Sequence, residues 1–246
     1  MKEIHYFYVP NAGTDDTLPD DEAQHALRVL RLTEGDELHL MDGIGNFYRA
    51  EVSLATNHKC CYRIIETMPQ QRPWRGHICV ALAPTKMMDR TEWFVEKAVE
   101  IGVDEIVFLN CRFSERREIK MQRIEKICIS AVKQSRKAWM PKLVPVTDFR
   151  KFVPSASYTR KYIAHCYDEI PKKNFLSLLG VTDGCPVRAT DDTLCIMIGP
   201  EGDFSIDEVQ HAIDNKFLSV SLGESRLRTE TAGIVAADMM HIAMTL

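Results

Sequence analysis

The sequence predicts an α/β protein with a largely parallel sheet, preceded by a small β-barrel domain. Three observations support this prediction. The first 70 residues are rich in short, strand-like segments. Residues 68–76, with two prolines and a glycine, then interrupt the pattern. Beyond them, apolar segments of strand length alternate with helical segments, which is typical of a parallel sheet covered on both faces.

The first domain is expected over residues 1–70. Its helix is predicted over residues 19–30, where acidic residues occupy the first turn and Leu27 and Leu30 are three positions apart. A glycine-containing hairpin loop is expected at 42–46. Strands are predicted over residues 5–9, 37–41, 47–52 and 61–66.

The second domain is expected over residues 71–246. Its strands are predicted at 77–83, 105–109, 162–166, 194–198 and 217–222. Its helices are predicted from about Asp89, from about Arg117 to Lys137, from Ser205 to Asn215 and from about Thr229 to Met244. Ser205 and Glu208 fit a capping box, which begins the third of these helices.

Composition narrows the class of protein. The 246 residues are 45% hydrophobic and 27% charged, which excludes disordered and fibrous chains. The sequence has no apolar run long enough for a membrane span, so we expect no membrane partner. None of the eight cysteines forms a CxxC pair. We therefore expect free thiols, no metal and a cytoplasmic location.

Charge is distributed unevenly along the chain. The net charge is −4, and residues 1–70 have 6 basic and 12 acidic residues. Residues 111–142, in contrast, have 10 basic and 3 acidic residues. A solvated helix face is one interpretation. We favour contact with a polyanion, and phosphate contacts of this kind position a nucleic acid without reading its sequence.

Two loops follow predicted strands and precede predicted helices. In the first, IGPEGDFS (198–205), Gly199 and Gly202 permit close approach of the backbone. In the second, LGESRLRTETAG (222–233), Arg226 and Arg228 are candidate anion contacts. Ligands bind at the carboxyl ends of parallel strands, although either loop alone also fits a purely structural turn. Together with the basic segment, the loops indicate a cytosolic enzyme that acts on nucleic acid.

Both loops resemble motifs of the bacterial 16S rRNA (uracil-N3)-methyltransferases, which belong to the SPOUT superfamily. IGPEGDFS is similar to IGPEGGFS, with Asp203 in place of a glycine, and LGESRLRTETA is similar to LG-x-x-x-LRTETA. Residues 86–103 and 25–32 also resemble family segments. Gln134, Ser135 and Pro141 match a Q-S-x-R-x-x-x-P-like stretch, in which Arg136 and Lys137 stand where the family more often has Gly and Arg.

The resemblance implies a PUA-like β-barrel for RNA docking and a SPOUT-type parallel sheet with a C-terminal trefoil knot. It implies a homodimer that binds S-adenosyl-L-methionine without metal and acts on 16S rRNA. Because the charge is patchy and the protein has two domains, we expect the rRNA within the 30S subunit to be the substrate. The implied cofactor-binding residues are Ile198, Gly199, Pro200, Glu201, Gly202, Leu222, Gly223, Leu227, Arg228, Thr229 and Ala232, with His165 at the rim.

The remaining site residues concern RNA and catalysis. Arg228 is expected to stabilise a uracil anion, and Glu230 is a candidate proton acceptor or a helix-start residue. The expected RNA contacts are Arg28, Arg31, Arg116, Arg117, Arg123, Arg136 and Lys137, with Arg49 as a further candidate. Three alternatives stay open: a SPOUT enzyme with another RNA target, a non-catalytic RNA-binding ribosome-assembly factor, and a Rossmann-type methyltransferase.

Overall fold

The structure is a computed structural model that describes residues 5–180 and 192–246. The chain forms two compact units. The first includes the chain up to Arg72 together with Ile129–Met140, and the second includes Pro73–Cys128 and Pro141–Leu246. A helical segment of the basic region thus belongs to the same unit as the N-terminal strands.

The first unit is built on a four-stranded sheet. Its strands β1 (Tyr6–Tyr8), β2 (Glu37–Met41), β3 (Asn46–Ala55) and β4 (Cys60–Pro69) pair in chain order. The short helix α1 (Asp20–Gln24) continues into a π-helical turn over His25–Val29. The expected barrel is not closed by strand pairing in the described part of the chain, because β1 and β4 are the two edges of this sheet.

The second unit contains a seven-stranded, fully parallel sheet in the order β7-β6-β5-β10-β8-β11-β9. The predicted strands are β5 (His77–Leu82), β6 (Glu105–Asn110), β8 (Arg160–Ala164), β10 (Thr193–Ile198) and β11 (Leu218–Ser221). Two strands were not predicted from the sequence, β7 (Lys142–Asp148) and β9 (Lys173–Asn174). Both are edge strands, β9 has only two residues, and Pro145 interrupts β7, which an edge tolerates.

The helices cover this sheet. They are α2 (Met88–Ile101), α3 (Met121–Gln134), α4 (Phe149–Ser155), α5 (Phe175–Leu178), α6 (Ile206–Asp214) and α7 (Thr229–Thr245). Helices α4 and α5 were not predicted. Helix α3 is also shorter than the predicted span of 117–137. None of the described helices is both long and apolar enough to cross a bilayer.

Small residues in α7 allow close packing of this helix. It lies against α2 and β5. A Cβ atom at Gly233 would lie 2.6 Å from Phe94 Cε2 and 2.7 Å from Leu82 Cδ1. Gly233 therefore serves tight helix packing inside the second unit.

Candidate active site

The carboxyl ends of four neighbouring strands form one edge of the parallel sheet. Ile198 of β10 pairs with Leu82 of β5 and with Ala164 of β8. Val220 of β11 also pairs with Ala164. Because these ends are in register, the loops that follow the four strands start from the same edge. This is the edge where an open parallel sheet binds its ligands.

The two motif loops meet at this edge. The Thr229 hydroxyl donates a hydrogen bond of 3.1 Å to the Gly199 carbonyl oxygen, and both groups are buried. A Cβ atom at Gly199 would lie 3.0 Å from the Phe204 backbone nitrogen, so a side chain there would force the Phe204 backbone to shift. Ile198 and Pro200 are buried beside it. The fold therefore brings together the two motif loops that were predicted to form one site.

Hydrogen bonds hold the first loop, residues 199–205, in one shape. The Glu201 carboxylate accepts a 2.9 Å bond from the Lys86 backbone N–H. Asp203 has a left-handed backbone with φ of 65°, where the family motif has glycine. Its carboxylate accepts 2.7 Å bonds from the backbone N–H groups of Cys166 and Phe204. These bonds compensate for the strain of a side chain at this position.

The second loop, residues 222–228, presents cations to solvent. Gly223 has φ of 137°, and nothing lies within 4 Å of a Cβ built there. Leu222 and Leu227 are half-buried, whereas Arg226 and Arg228 are exposed. Arg228 is the N-cap residue of α7, and its guanidinium has no hydrogen-bond or ion-pair partner in the described part of the chain. It is therefore available to an anionic ligand.

Glu230 lies buried in the first turn of α7. Its Oε1 is 3.7 Å from a terminal nitrogen of Arg90 on α2. Its Oε2 is buried and has no hydrogen-bond partner among the described residues. The carboxylate thus complements the helix dipole and keeps one free acceptor. The role of Arg90 was not predicted, because a contact between two helices leaves no local sequence signal.

His165 follows β8 at the same edge and is buried. Neither ring nitrogen has a hydrogen-bond partner within the described residues. Burial and the nearby Lys172 lower the pKa of His165, against smaller opposing effects of Asp203 and Glu169. The neutral ring offers one donor and one acceptor to a ligand.

Ala232 completes the set of predicted cofactor residues. It is half-buried in the first turns of α7, and its backbone N–H donates a 2.8 Å bond to the Arg228 carbonyl. Gly202 is exposed, and a Cβ atom there would lie 3.2 Å from Phe113 Cβ. The structure thus places the residues predicted for the cofactor at one edge of the sheet, at the end of β10, in the loops after β8, β10 and β11, and in the first turns of α7.

The candidate RNA contacts of the first unit differ in availability. Arg28 and Arg31 are exposed. Arg136 is exposed with φ of 52°, which explains why the family more often has glycine there. Lys137 is half-buried, and this burial lowers its pKa. Arg49 pairs with Glu66 and Glu37, so it is a weaker candidate than its charge implies.

The candidate RNA contacts of the second unit do not all lie on one face of one helix. Arg116 and Arg117 precede α3 rather than belonging to it. The Arg116 guanidinium donates to the backbone carbonyls of Thr85 and Lys86, at 3.2 and 2.7 Å. Arg123 is in α3 and donates a 2.7 Å bond to Glu92. Of these three, Arg117 alone has no partner in the described ranges.

Within the described residues, no group of three or more His, Cys, Asp or Glu side chains is placed to hold a metal ion. Seven cysteines are free thiols there. Cys185 lies outside the described residues.

Comparison with known proteins identifies the family. An RNA methyltransferase domain matches residues 72–241, and an RNA methyltransferase PUA domain matches residues 18–65. A solved structure of the "probable rRNA-methyltransferase" of Porphyromonas gingivalis is 42% identical, with 98% of each chain covered and a TM-score of 0.87.

Two further relatives support the same assignment. The Ribosomal RNA small subunit methyltransferase E of Neisseria gonorrhoeae, solved bound to S-adenosyl methionine, is 28% identical, with 98% of each chain covered and a TM-score of 0.82. The protein of that name from Mesomycoplasma hyopneumoniae is 30% identical over 70% of this chain and 72% of its own. The chain is therefore a member of the RNA methyltransferase family, with a PUA domain before its parallel-sheet domain.

Proposed function

We propose that this protein transfers a methyl group from S-adenosyl-L-methionine to N3 of a uridine in 16S rRNA. The hydrogen bond between Thr229 and the Gly199 carbonyl supports this proposal most directly. It joins the two loops whose motifs resemble those of the uracil-N3 methyltransferases. The relatives named as small subunit rRNA methyltransferases favour the same substrate class.

The residues at the sheet edge fit the cofactor. When bound, S-adenosylmethionine supplies an electrophilic methyl group on a sulfonium. Ile198, Leu227 and the backbone groups of the two motif loops are the groups that would hold it. The two ring nitrogens of His165 are buried without partners in the described chain, which suits a ligand that both donates and accepts hydrogen bonds.

Transfer to N3 requires loss of the N3 proton. We assign stabilisation of the resulting uracil anion to Arg228, because its exposed guanidinium is permanently charged and has no partner among the described residues. In this role the guanidinium would bind the uracil anion rather than the cofactor's sulfonium, because two positive charges repel each other.

Glu230 is the carboxylate nearest to Arg228 in the sequence. Its free Oε2 acceptor is consistent with accepting a proton, and its place in the first turn of α7 is equally consistent with stabilising the helix. We therefore assign Glu230 two roles, proton acceptor and helix-start residue, which the Glu230→Gln variant separates. Loss of transfer without loss of stability supports the first role, and loss of both supports the second.

The wider arrangement follows the same proposal. Residues 1–70 dock RNA, and residues 71–246 carry out the methyl transfer. The protein acts in the cytoplasm as a homodimer, on rRNA within the 30S subunit. Sedimentation with and without small subunits tests the dimer and the particle.

We also propose that the C-terminal part forms a trefoil knot. Strand β10 lies between β5 and β8, and β11 lies between β8 and β9. Helix α7 nevertheless packs against β5 and α2, so the chain returns across β8 and β10 after β11. A crystal structure of the protein tests whether this return passes through a loop of the preceding chain.

The decisive experiment uses small subunits from cells that lack N3-methyluridine. These are incubated with the protein and cofactor, and the digested rRNA is analysed by nucleoside mass spectrometry. We expect cofactor-dependent N3-methyluridine, lost in Arg228→Ala. A different methylated nucleoside would overturn the target. If the protein neither incorporates methyl groups nor binds the cofactor, it is a non-catalytic assembly factor.

A further inference from the structure

An exposed aromatic side chain lies at the edge of the candidate site. Phe113 follows β6 and keeps 46% of its surface exposed. The turn that holds it is rigid, because the Cys111 N–H donates to the Ser114 hydroxyl at 2.9 Å and the Ser114 N–H donates to the Cys111 carbonyl at 3.1 Å. Ser114 itself is buried. These bonds fix the backbone that carries Phe113, while its ring stays exposed.

The turn is attached to the first motif loop. A Cβ atom at Gly202 would lie 3.2 Å from Cβ of Phe113, so the two backbones are in close contact. The Arg112 N–H donates a 2.8 Å bond to Glu208 in α6, directly after this loop. Phe113 is thus held beside the loop that we assign to the cofactor.

One cation lies over the exposed ring. The Arg112 guanidinium carbon is 5.8 Å from the ring centroid, and the same guanidinium pairs with Asp207 at 3.4 Å on the protein surface. Arg117 and Lys120, further along the same loop, are exposed and have no side-chain partner in the described part of the chain. An exposed aromatic ring on a loop that also carries unpaired basic residues suits RNA, in which bases stack and phosphates carry negative charge. A second copy of this chain, net −4, supplies no base to stack.

We propose that Phe113 is a positioning residue that stacks on an unpaired nucleobase of the RNA substrate at the methyl-transfer site. This inference rests on the proposed function and extends it to a residue outside both motifs. A target uracil must leave its own stack to reach a cofactor, and an aromatic platform at the rim compensates for the contacts it loses.

Four variants test the proposal: Phe113→Ala, Phe113→Leu, Phe113→Tyr and Phe113→Trp. Methyl transfer to unmethylated small subunits is measured for each, together with cofactor affinity, thermal stability and oligomeric state. We expect the Ala and Leu variants to lose about 5- to 100-fold in kcat/KM for RNA, which corresponds to loss of one base–aromatic stack. The Tyr and Trp variants should stay within about threefold of wild type.

Leucine separates stacking from apolar packing, because it keeps apolar surface but offers no π face. Full activity in Phe113→Leu would overturn the proposal. A changed oligomeric state in Phe113→Ala would instead assign the ring to contact between copies of this chain. Binding of a uridine-containing single-stranded RNA is measured separately from methylation. If the proposed methylation target is wrong, this binding measurement still tests whether Phe113 stacks on a base.

Discussion

Arg117 and Arg123 are six residues apart, and their charges alone predict the same role in RNA binding. The structure separates them, because Arg123 is bonded to Glu92 and Arg117 has no partner among the described residues. Lys133 likewise donates 2.8 Å bonds to both carboxylate oxygens of Glu22, a residue distant in sequence. Counting charges within one segment overestimates its free positive charge, because the fold places acidic residues from distant segments beside some of the basic ones.

The first prediction compares these two arginines. Arg117→Ala should weaken RNA binding and reduce the slope of log K against log salt by about one, because one phosphate contact is lost. Arg123→Ala, the matched control, should change the slope less, since its guanidinium is already paired. Filter binding at several salt concentrations measures both. Equal slopes for the two variants would contradict this difference.

The second prediction concerns Arg228. Arg228→Ala should lower kcat by about 100-fold or more, the scale seen when one charge-stabilising donor is removed. Cofactor affinity should stay within about threefold, and stability within about 0.5 kcal/mol, because the side chain is exposed. Arg226→Ala is the control, two residues away on the same loop. Single-turnover methylation and calorimetry report the two quantities, and an active Arg228→Ala enzyme would refute the assignment.

At the scale of elements, helix boundaries followed local chemistry. The capping box of Ser205 and Glu208 is present, and α6 begins directly after it at Ile206. Helix α3 was predicted too long because basic residues on both sides of it have good helix propensity. Residues 117–120 and the left-handed Arg136 lie outside the helix, and neither boundary has a clear sequence signal.

The third prediction concerns the packing of α7. Replacing glycine by alanine inside a helix normally stabilises it by about 1 kcal/mol. At Gly233 the new methyl group would clash with Phe94 and Leu82, which costs about 1–3 kcal/mol. Gly233→Ala should therefore lower the midpoint of thermal unfolding. Asp238→Ala on the exposed face of the same helix is the control, and a raised midpoint in Gly233→Ala would contradict the packing argument.

At the scale of the whole molecule, a polar cluster ties three strands together at the sheet edge opposite the candidate site. Glu105 begins β6 and is buried. Its carboxylate is bonded to His77 at 3.2 Å, Lys142 at 2.8 Å and the Tyr158 hydroxyl at 2.9 Å. These partners, His77 foremost, lower the pKa of Glu105 to about 2, against the opposing effect of burial.

The fourth prediction is the pH dependence that results. Because the folded pKa lies below the ordinary glutamate value, Glu105 stabilises the fold above about pH 4.5 and loses this effect as the pH falls towards 2. The contribution is about 3 kcal/mol at most. The free energy of unfolding should therefore differ most between wild type and Glu105→Gln near neutral pH. If the difference in free energy of unfolding stayed constant from pH 7 to pH 2, the ionic role of Glu105 would be contradicted. Glu118→Gln, at an exposed glutamate, is the control.

The sequence by itself determined the alternation of strands and helices, the two motif loops and the family. These follow from local properties: apolar period, glycine position and capping residues act within a few neighbouring positions. Strands β7 and β9 were not predicted, because β9 is short and β7 is interrupted by proline, as edge strands can be. Such strands are defined by pairing with a neighbour that is distant in the sequence. The clustering of His165, Gly199 and Thr229 could be expected only from the family motifs and from the rule for parallel sheets.

Only the tertiary structure decided the strand order and which charges remain free. In the fold, β10 lies between β5 and β8, and Arg123 pairs with Glu92. Glu230 is buried beside Arg90, and Phe113 is exposed next to Gly202. The physical reason is that such contacts join residues far apart in the chain. Their energy depends on distance and burial, which no local pattern of residues encodes.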